Sequence, residues 1–312
     1  MSTPLARPMM RLRHRWFILV LVALMMFPKA ARSDSPRVTF EQTFGTERAA
    51  ELIEQNGTLR AVLASKVYSE TTITLRQNLP SGVQLRFGGD VIAAGYPGEA
   101  VPIAVQTGLF VERSQTFGEG NVWQSRFKIE ADQTFEAGDW VYRRLRADAR
   151  LRYRFGPNNM TFAQVRLGYR DQNDRAFEGY DQAEYLANVM HIWRPRSDNR
   201  SLSGTFYVER RAAEAERFSY LEMGARLKAS FPVTDDTTFA VGLTHFDRAF
   251  GSDEGGFERR DRRTYGVLSM SHALSDFQAL EAYVGYDVNR SNLDERAYSG
   301  AISGINLRFT WQ

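Results

Sequence analysis

WVYRRLRADARLRYRF, residues 140–155, is the stretch on which the fold turns. Arg144, Arg146, Arg150, Arg152 and Arg154 fall with Asp148 on one face of an extended chain. Leu145, Ala147, Ala149, Leu151, Tyr153 and Phe155 fall on the other. The period is two residues, which is that of a β-strand, whereas a helix would place alternate residues on opposite sides. In a soluble domain the apolar face would be buried and the arginines would face water. In a membrane barrel the apolar face meets lipid and the arginines line the lumen, because an arginine facing hydrocarbon costs about 2–4 kcal/mol at the midplane.

Spacing separates these two cases. Turn-rich clusters recur at LPSG (79–82), FGEGN (117–121), FGPNN (155–159), RPRSDN (194–199), FPVTDD (231–236) and ALSDF (273–277). Between them lie more variable breaks, several of them charged and glycine-containing: AGYPGEA (94–100), EAGD (136–139), RDQNDRAFEGYDQ (170–182), RRAAEAER (210–217), AFGSDEGGFERRDRR (249–263) and RSNLDERA (290–297). Short turns on one side and longer loops on the other are the pattern of outer-membrane barrels. The intervening segments alternate. Thr161, Ala163, Val165, Leu167 and Tyr169 oppose Phe162, Gln164, Arg166, Gly168 and Arg170. Leu221, Met223, Ala225 and Leu227 oppose Glu222, Gly224, Arg226 and Lys228. Phe155, Trp193, Phe231, Trp140, Tyr180 and Trp311 cluster near strand ends, as interfacial girdles do.

Six short turns joining seven up-and-down pairs give an all-β, antiparallel, up-and-down transmembrane barrel of about 14 strands, with both termini on the short-turn side. A β-sandwich is the main structural alternative. It would need a second buried layer, and the inward faces here are full of charge.

Four arginines (Arg7, Arg11, Arg13, Arg15) precede the apolar run Trp16 to Phe27, followed by small residues at Ala31 and Ser33. This is the layout of a secretory signal peptide, residues 1–33, cleaved after Ser33. The apolar run is short for a membrane-spanning helix, which needs about 20 residues. The segment holds six of the 40 Lys+Arg, so the mature chain has 34 against 37 Asp+Glu, a net of about −3. The basic balance belongs to the leader, and no nucleic-acid partner is implied. Residues 34–57 are expected to form a short periplasmic segment in which TERAAELIEQ (46–55) is an amphipathic helix, and residues 58–312 the barrel.

The lumen wall is expected to be basic along three adjacent strands, at Arg126, Lys128, Arg144, Arg146, Arg150, Arg152, Arg154, Arg166 and Arg170, with Glu130 and Asp132 nearby. Asp90, Glu222, Glu281 and Asp287 fall on the same register elsewhere. Such a wall attracts an anionic solute or polymer, or its charges pair with the interspersed acids and solvate the interior. The interspersion favours pairing. Catalysis finds little support: there is no G-x-S-x-G, no H-E-x-x-H and no glycine-rich phosphate loop, and no cofactor is called for. His245 and His272, expected on adjacent strands with Asp247 nearby, are the one candidate for a barrel-embedded hydrolase, with interior histidines of a polar lumen as the plainer account.

At the C-terminus, SGINLRFTWQ (303–312) sets Ile305, Leu307, Phe309 and Trp311 toward lipid and Arg308 toward the lumen. Phe309 and Trp311 are the expected signal for the barrel-insertion machinery. The segment FERRDRRTYGVLSMSHALSDFQALEAYVGYDVNRSNLDERAYSGAISGINLRFTW (257–311) resembles the closing hairpins of the surface lipoprotein assembly modifier barrels. Their order is a basic loop (Arg260-Asp261-Arg262), an aromatic strand (Tyr283 to Asp287), a Ser-Asn loop (Ser291-Asn292) and a last strand (Tyr298 to Trp311). The resemblance extends over about residues 140–311. It implies a 14-stranded barrel in the bacterial outer membrane that helps lipoproteins reach the cell surface. Members of that family carry a periplasmic helical-repeat domain ahead of the barrel, where this chain has only a short segment. Similar patterns occur in barrels of exopolysaccharide export systems. The expected partners are therefore outer-membrane lipid, the insertion machinery, and a lipoprotein or polysaccharide cargo. A passive porin for small, anionic solutes is the alternative.

Overall fold

The computed structural model of the chain describes residues 35–55, 58–80, 82–97, 103–173, 178–195, 200–252 and 255–311. The expected signal peptide and Gln312 lie outside them. The strands are β1 (Arg37–Gln55), β2 (Thr58–Asn78), β3 (Val83–Gly95), β4 (Ala104–Phe117), β5 (Trp123–Glu136), β6 (Asp139–Phe155) and β7 (Asn159–Gln172). They continue as β8 (Gln182–Trp193), β9 (Ser201–Ala213), β10 (Tyr220–Pro232), β11 (Thr237–Ser252), β12 (Glu258–Ser275), β13 (Gln278–Ser291) and β14 (Tyr298–Trp311). Each pairs antiparallel with the next, and β14 returns to β1, closing the ring. This is the 14-stranded architecture that the turn spacing predicts and the resemblance implies.

The closure satisfies every strand's backbone without water, which is the condition for crossing a bilayer with strands. It also inverts the burial of a soluble protein. The most buried side chains include Asp287 at 1% exposure and Glu112, Glu184 and Asp261 at 4%, while Phe206 stands 73% and Leu109 68% exposed. Apolar side chains outward and carboxylates inward are stable only where the outer solvent is hydrocarbon.

The short turns join β2 to β3, β4 to β5, β6 to β7, β8 to β9, β10 to β11 and β12 to β13, so both termini lie at that end. By the usual asymmetry it faces the periplasm. At that end outward aromatics run in contact around the wall. Trp123 lies 6.4 Å from Phe117 and 4.4 Å from Tyr153, and Phe155 lies 4.5 Å from Tyr153. Phe309 and Trp311 stack at 6.0 Å. This is the girdle expected at the inner interface.

Three expectations change. Residues 46–55 are not a helix but the outer half of β1, paired residue for residue with Thr58–Val67. Helical spacing in TERAAELIEQ yields to the backbone ladder offered by β2, because tertiary pairing outweighs local propensity. The barrel therefore starts at Arg37 rather than at residue 58. The EAGD break, one of the variable outer set, is a tight turn. Ala137 and Gly138 close β5 to β6 with positive φ of 51° and 89°, the two-residue type I′ geometry whose twist matches a hairpin. Finally, Tyr180 is not in a girdle. Its ring lies 5.0 Å from the Arg170 guanidinium and 4.6 Å from Phe218, at the outer mouth.

Candidate functional site

Strand alternation and register together determine which side chains meet inside the ring. All nine predicted basic residues, Arg126 and Lys128 on β5, Arg144 to Arg154 on β6, and Arg166 and Arg170 on β7, share the lumenal parity of those strands. They fall into two zones.

In the outer half they are neutralised. Arg144 donates from Nε to Asp132 at 3.1 Å and reaches Glu184 at 3.8 Å. Arg146 pairs with both Glu130 and Asp132, and Lys128 pairs with Glu130. Arg166 donates to Asp148 at 3.0 Å. Gly168, on the strand between Arg144 and Glu184, keeps the wall low there. The ladder continues around the ring beyond the predicted wall. Arg211 bridges Glu184 at 3.8 Å and Glu209 at 2.8 Å, Arg248 donates to Glu222 at 2.7 Å, and Arg263 donates to Asp287 at 2.9 Å. Among the described residues Arg170 has no carboxylate partner; it donates to Gln172 at 3.0 Å and lies over Tyr142 at 3.9 Å. In a low-dielectric wall these pairs offset one another's desolvation, so the pairing that interspersion suggests is what forms here.

In the periplasmic half neutralisation is incomplete. Glu112 holds Arg126 at 2.7 Å and Arg86 at 3.3 Å. Beyond it, among the described residues, Arg150 donates only to Gln164, at 3.0 Å, with its guanidinium 5.5 Å from the Phe162 ring. Among the described residues, Arg76, Arg152, Arg154 and Lys228 have no carboxylate partner. Arg154 is exposed at the lumen's inner mouth. Alternation predicts that these arginines share a face, but only the register shows which have acids opposite.

The histidines are corrected. His245, His272 and His191 all face outward, bonded to Thr264 at 2.7 Å, Thr237 at 2.9 Å and Thr161 at 2.9 Å. His245 pairs in register with Thr264 and His272 with Thr237, eight residues apart along β12, so they do not meet. Asp247 lies 3.6 Å from His245 but is committed to Arg262 at 2.6 Å, and all three are solvent-facing or lipid-facing. The expectation of a histidine pair, or of interior histidines, fails because both residues have the parity of the lipid face. No group of three His, Asp or Glu among the described residues is placed to hold a metal.

Two concavities stand out. One, of about 1040 Å³, runs on the outer wall over Ala149, Ala163, Ala187 and Ala225 between bulkier neighbours such as Phe206, and is part of the lipid face. The other, of about 310 Å³, lies inside the lumen and is lined by Tyr68, Tyr207, Tyr265, Tyr283, Arg226 and Glu222 among others.

A closed 14-strand ring with an apolar exterior, an aromatic inner girdle and a charged interior defines the class: an outer-membrane β-barrel of Gram-negative type. No protein-family model and no curated protein matches the chain. Solved structures similar to it include an outer membrane channel from Pseudomonas putida F1, at 13% identity and a TM-score of 0.48 over 91% of this chain and 97% of the other. OmpT, an outer membrane protein of Vibrio cholerae in its trimer form, is 11% identical with a TM-score of 0.47, over 91% of this chain and 100% of the other. OccAB2 of Acinetobacter baumannii is 10% identical with a TM-score of 0.42, over 91% and 99%. Nothing about substrate passes from these proteins to this chain.

Proposed function

We propose that this protein is an outer-membrane conduit, exported through a cleaved signal peptide, that passes an extended anionic macromolecule from the periplasm to the surface. The observation that supports this reading is the uneven neutralisation of the lumen. Arg150, Arg152 and Arg154 descend one strand toward the inner mouth without a carboxylate among the described residues, while Arg144 and Arg146 above them on the same strand are paired. An uncompensated cationic wall at the inner entrance concentrates anions there and loads them from the periplasmic side.

Width limits the cargo. Fourteen strands spaced about 4.8 Å apart and tilted about 40° enclose a backbone ring roughly 28 Å across. Long side chains from both walls fill much of that, which leaves room for an unfolded chain or a polymer strand and not for a folded domain. A lipoprotein in extended form and an acidic polysaccharide both satisfy this. The second reading, a passive porin for small anions, draws on the same unpaired arginines.

Planar-bilayer recording on the purified barrel separates them. A conduit for a polymer gives a small or intermittent current that an anionic polymer blocks from the periplasmic side only. A porin gives a large, steady, anion-selective current blocked from neither side. Replacing Arg150, Arg152 and Arg154 together by glutamine is expected to lower anion over cation preference severalfold. Unchanged selectivity would remove the basic wall from the function.

A further inference from the structure

The lumenal chamber carries an inference about what the conduit recognises, and it rests on the reading above. Its lining comes from opposite walls. Tyr68 is on β2 and Tyr207 on β9, seven steps apart on a ring of fourteen, yet both border one space of about 310 Å³. The lumen is therefore narrowed at this level along the side from β9 round to β2.

The constriction is built by pairing tyrosines with glycines. Tyr68 and Tyr283 meet hydroxyl to hydroxyl over Gly45, where a Cβ would lie 2.6 Å from both side chains. Tyr207 covers Gly224 in the same way, also at 2.6 Å. With no Cβ beneath, these side chains approach the wall more closely than any other residue there would allow. Between the faces stand polar groups already held in place. Tyr207 donates to Glu222 at 2.8 Å, and Arg248 donates to the other oxygen of Glu222 at 2.7 Å. Arg226 is different. It lies 4.5 Å over the Tyr207 ring and has no carboxylate partner among the described residues.

We propose that this constriction is a binding site for an acidic sugar unit of a polysaccharide chain. Flat aromatic faces pack against the C–H faces of a pyranose ring. The fixed carboxylate and guanidinium groups exchange hydrogen bonds with its hydroxyls, and Arg226 takes its carboxylate in a charge-assisted pair. The volume is at the lower end of the roughly 300–1,000 Å³ typical of small-ligand sites, which suits one or two rings. An extended polypeptide would use the backbone donors of a sheet edge, and the closed ring offers none.

The test is block of the current through the full mature barrel by three probes: a short oligogalacturonate, maltohexaose, and polyglutamate of matched charge. Oligogalacturonate is expected to block at a concentration about tenfold below either of the others, the charge-assisted hydrogen bond to Arg226 setting it apart from neutral maltohexaose and ring packing against the tyrosines setting it apart from polyglutamate. Arg226→Gln should raise that concentration about tenfold, and His245→Gln on the lipid face should leave it unchanged. Equal block by maltohexaose would overturn recognition of the acid. Equal block by polyglutamate would overturn recognition of the sugar, and an unaltered response in Arg226→Gln would overturn the assignment to this chamber. If the folded protein carries no current, the conduit reading fails. Calorimetry of the same probes and variant in detergent then decides the site by itself, binding preference for oligogalacturonate supporting it and equal or absent binding overturning it.

Discussion

Asp287 illustrates how much one side chain holds. It is 1% exposed, accepts three hydrogen bonds from Arg263, two from Nε at 2.9 and 3.0 Å and one from Nη2, and takes a fourth from Tyr298 at 3.4 Å. Removing the carboxylate leaves the Arg263 guanidinium without its hydrogen-bonded counter-charge. Asp287→Ala is therefore expected to cost about 3–5 kcal/mol, read as a marked drop in the temperature at which the folded, fast-migrating band on a gel converts to the unfolded one. His245→Ala, outward and exposed, should move that temperature little, by the equivalent of about 0.5 kcal/mol or less. A similar loss in both variants would mean that inward and outward faces have been exchanged. Which residues face inward is legible from alternation alone. That Asp287 serves Arg263 is not, because the partner is 24 positions away and register decides it.

At the scale of the element, β14 is where sequence and structure agree most fully. Ile305 and Trp311 are half exposed on the outer face, Arg308 pairs with Glu41 of β1 inside, and Asn306 donates to Thr43 at 2.7 Å. Deleting Phe309 to Gln312 removes the pairs from Val38↔Trp311 to Phe40↔Phe309 together with two girdle aromatics. It is expected to abolish outer-membrane insertion, assayed by membrane fractionation, whereas deleting Gln312 alone should not. Normal insertion of the longer truncation would count heavily against this seam. The opposite edge of the same seam was the least legible part of the chain. In β1, TERAAELIEQ has the composition of a helix, and only its ladder to β2 makes it a strand.

For the whole molecule the decisive property is closure, and the absence of cysteine makes it directly testable. Thr46 and Ser303 are register partners across β1 and β14, their hydroxyl oxygens 3.1 Å apart. The double variant Thr46→Cys, Ser303→Cys is expected to oxidise readily to a disulfide, since cross-strand partners at this spacing meet its geometric needs. The linked chain, denatured but not reduced, should migrate differently from its reduced form. Failure to form the bridge in folded protein would argue that the ring is open there. Turn spacing and period-two alternation determined the strand number, the sidedness and the identity of the lumenal face, because each depends on residues close together in the chain and on the cost of charge in lipid. The tertiary structure alone decided which arginines are neutralised, that His245 and His272 do not meet, and that tyrosines from β2 and β9 border one lumenal space. Those depend on register around a closed ring, which sets partners far apart in sequence and leaves no local trace.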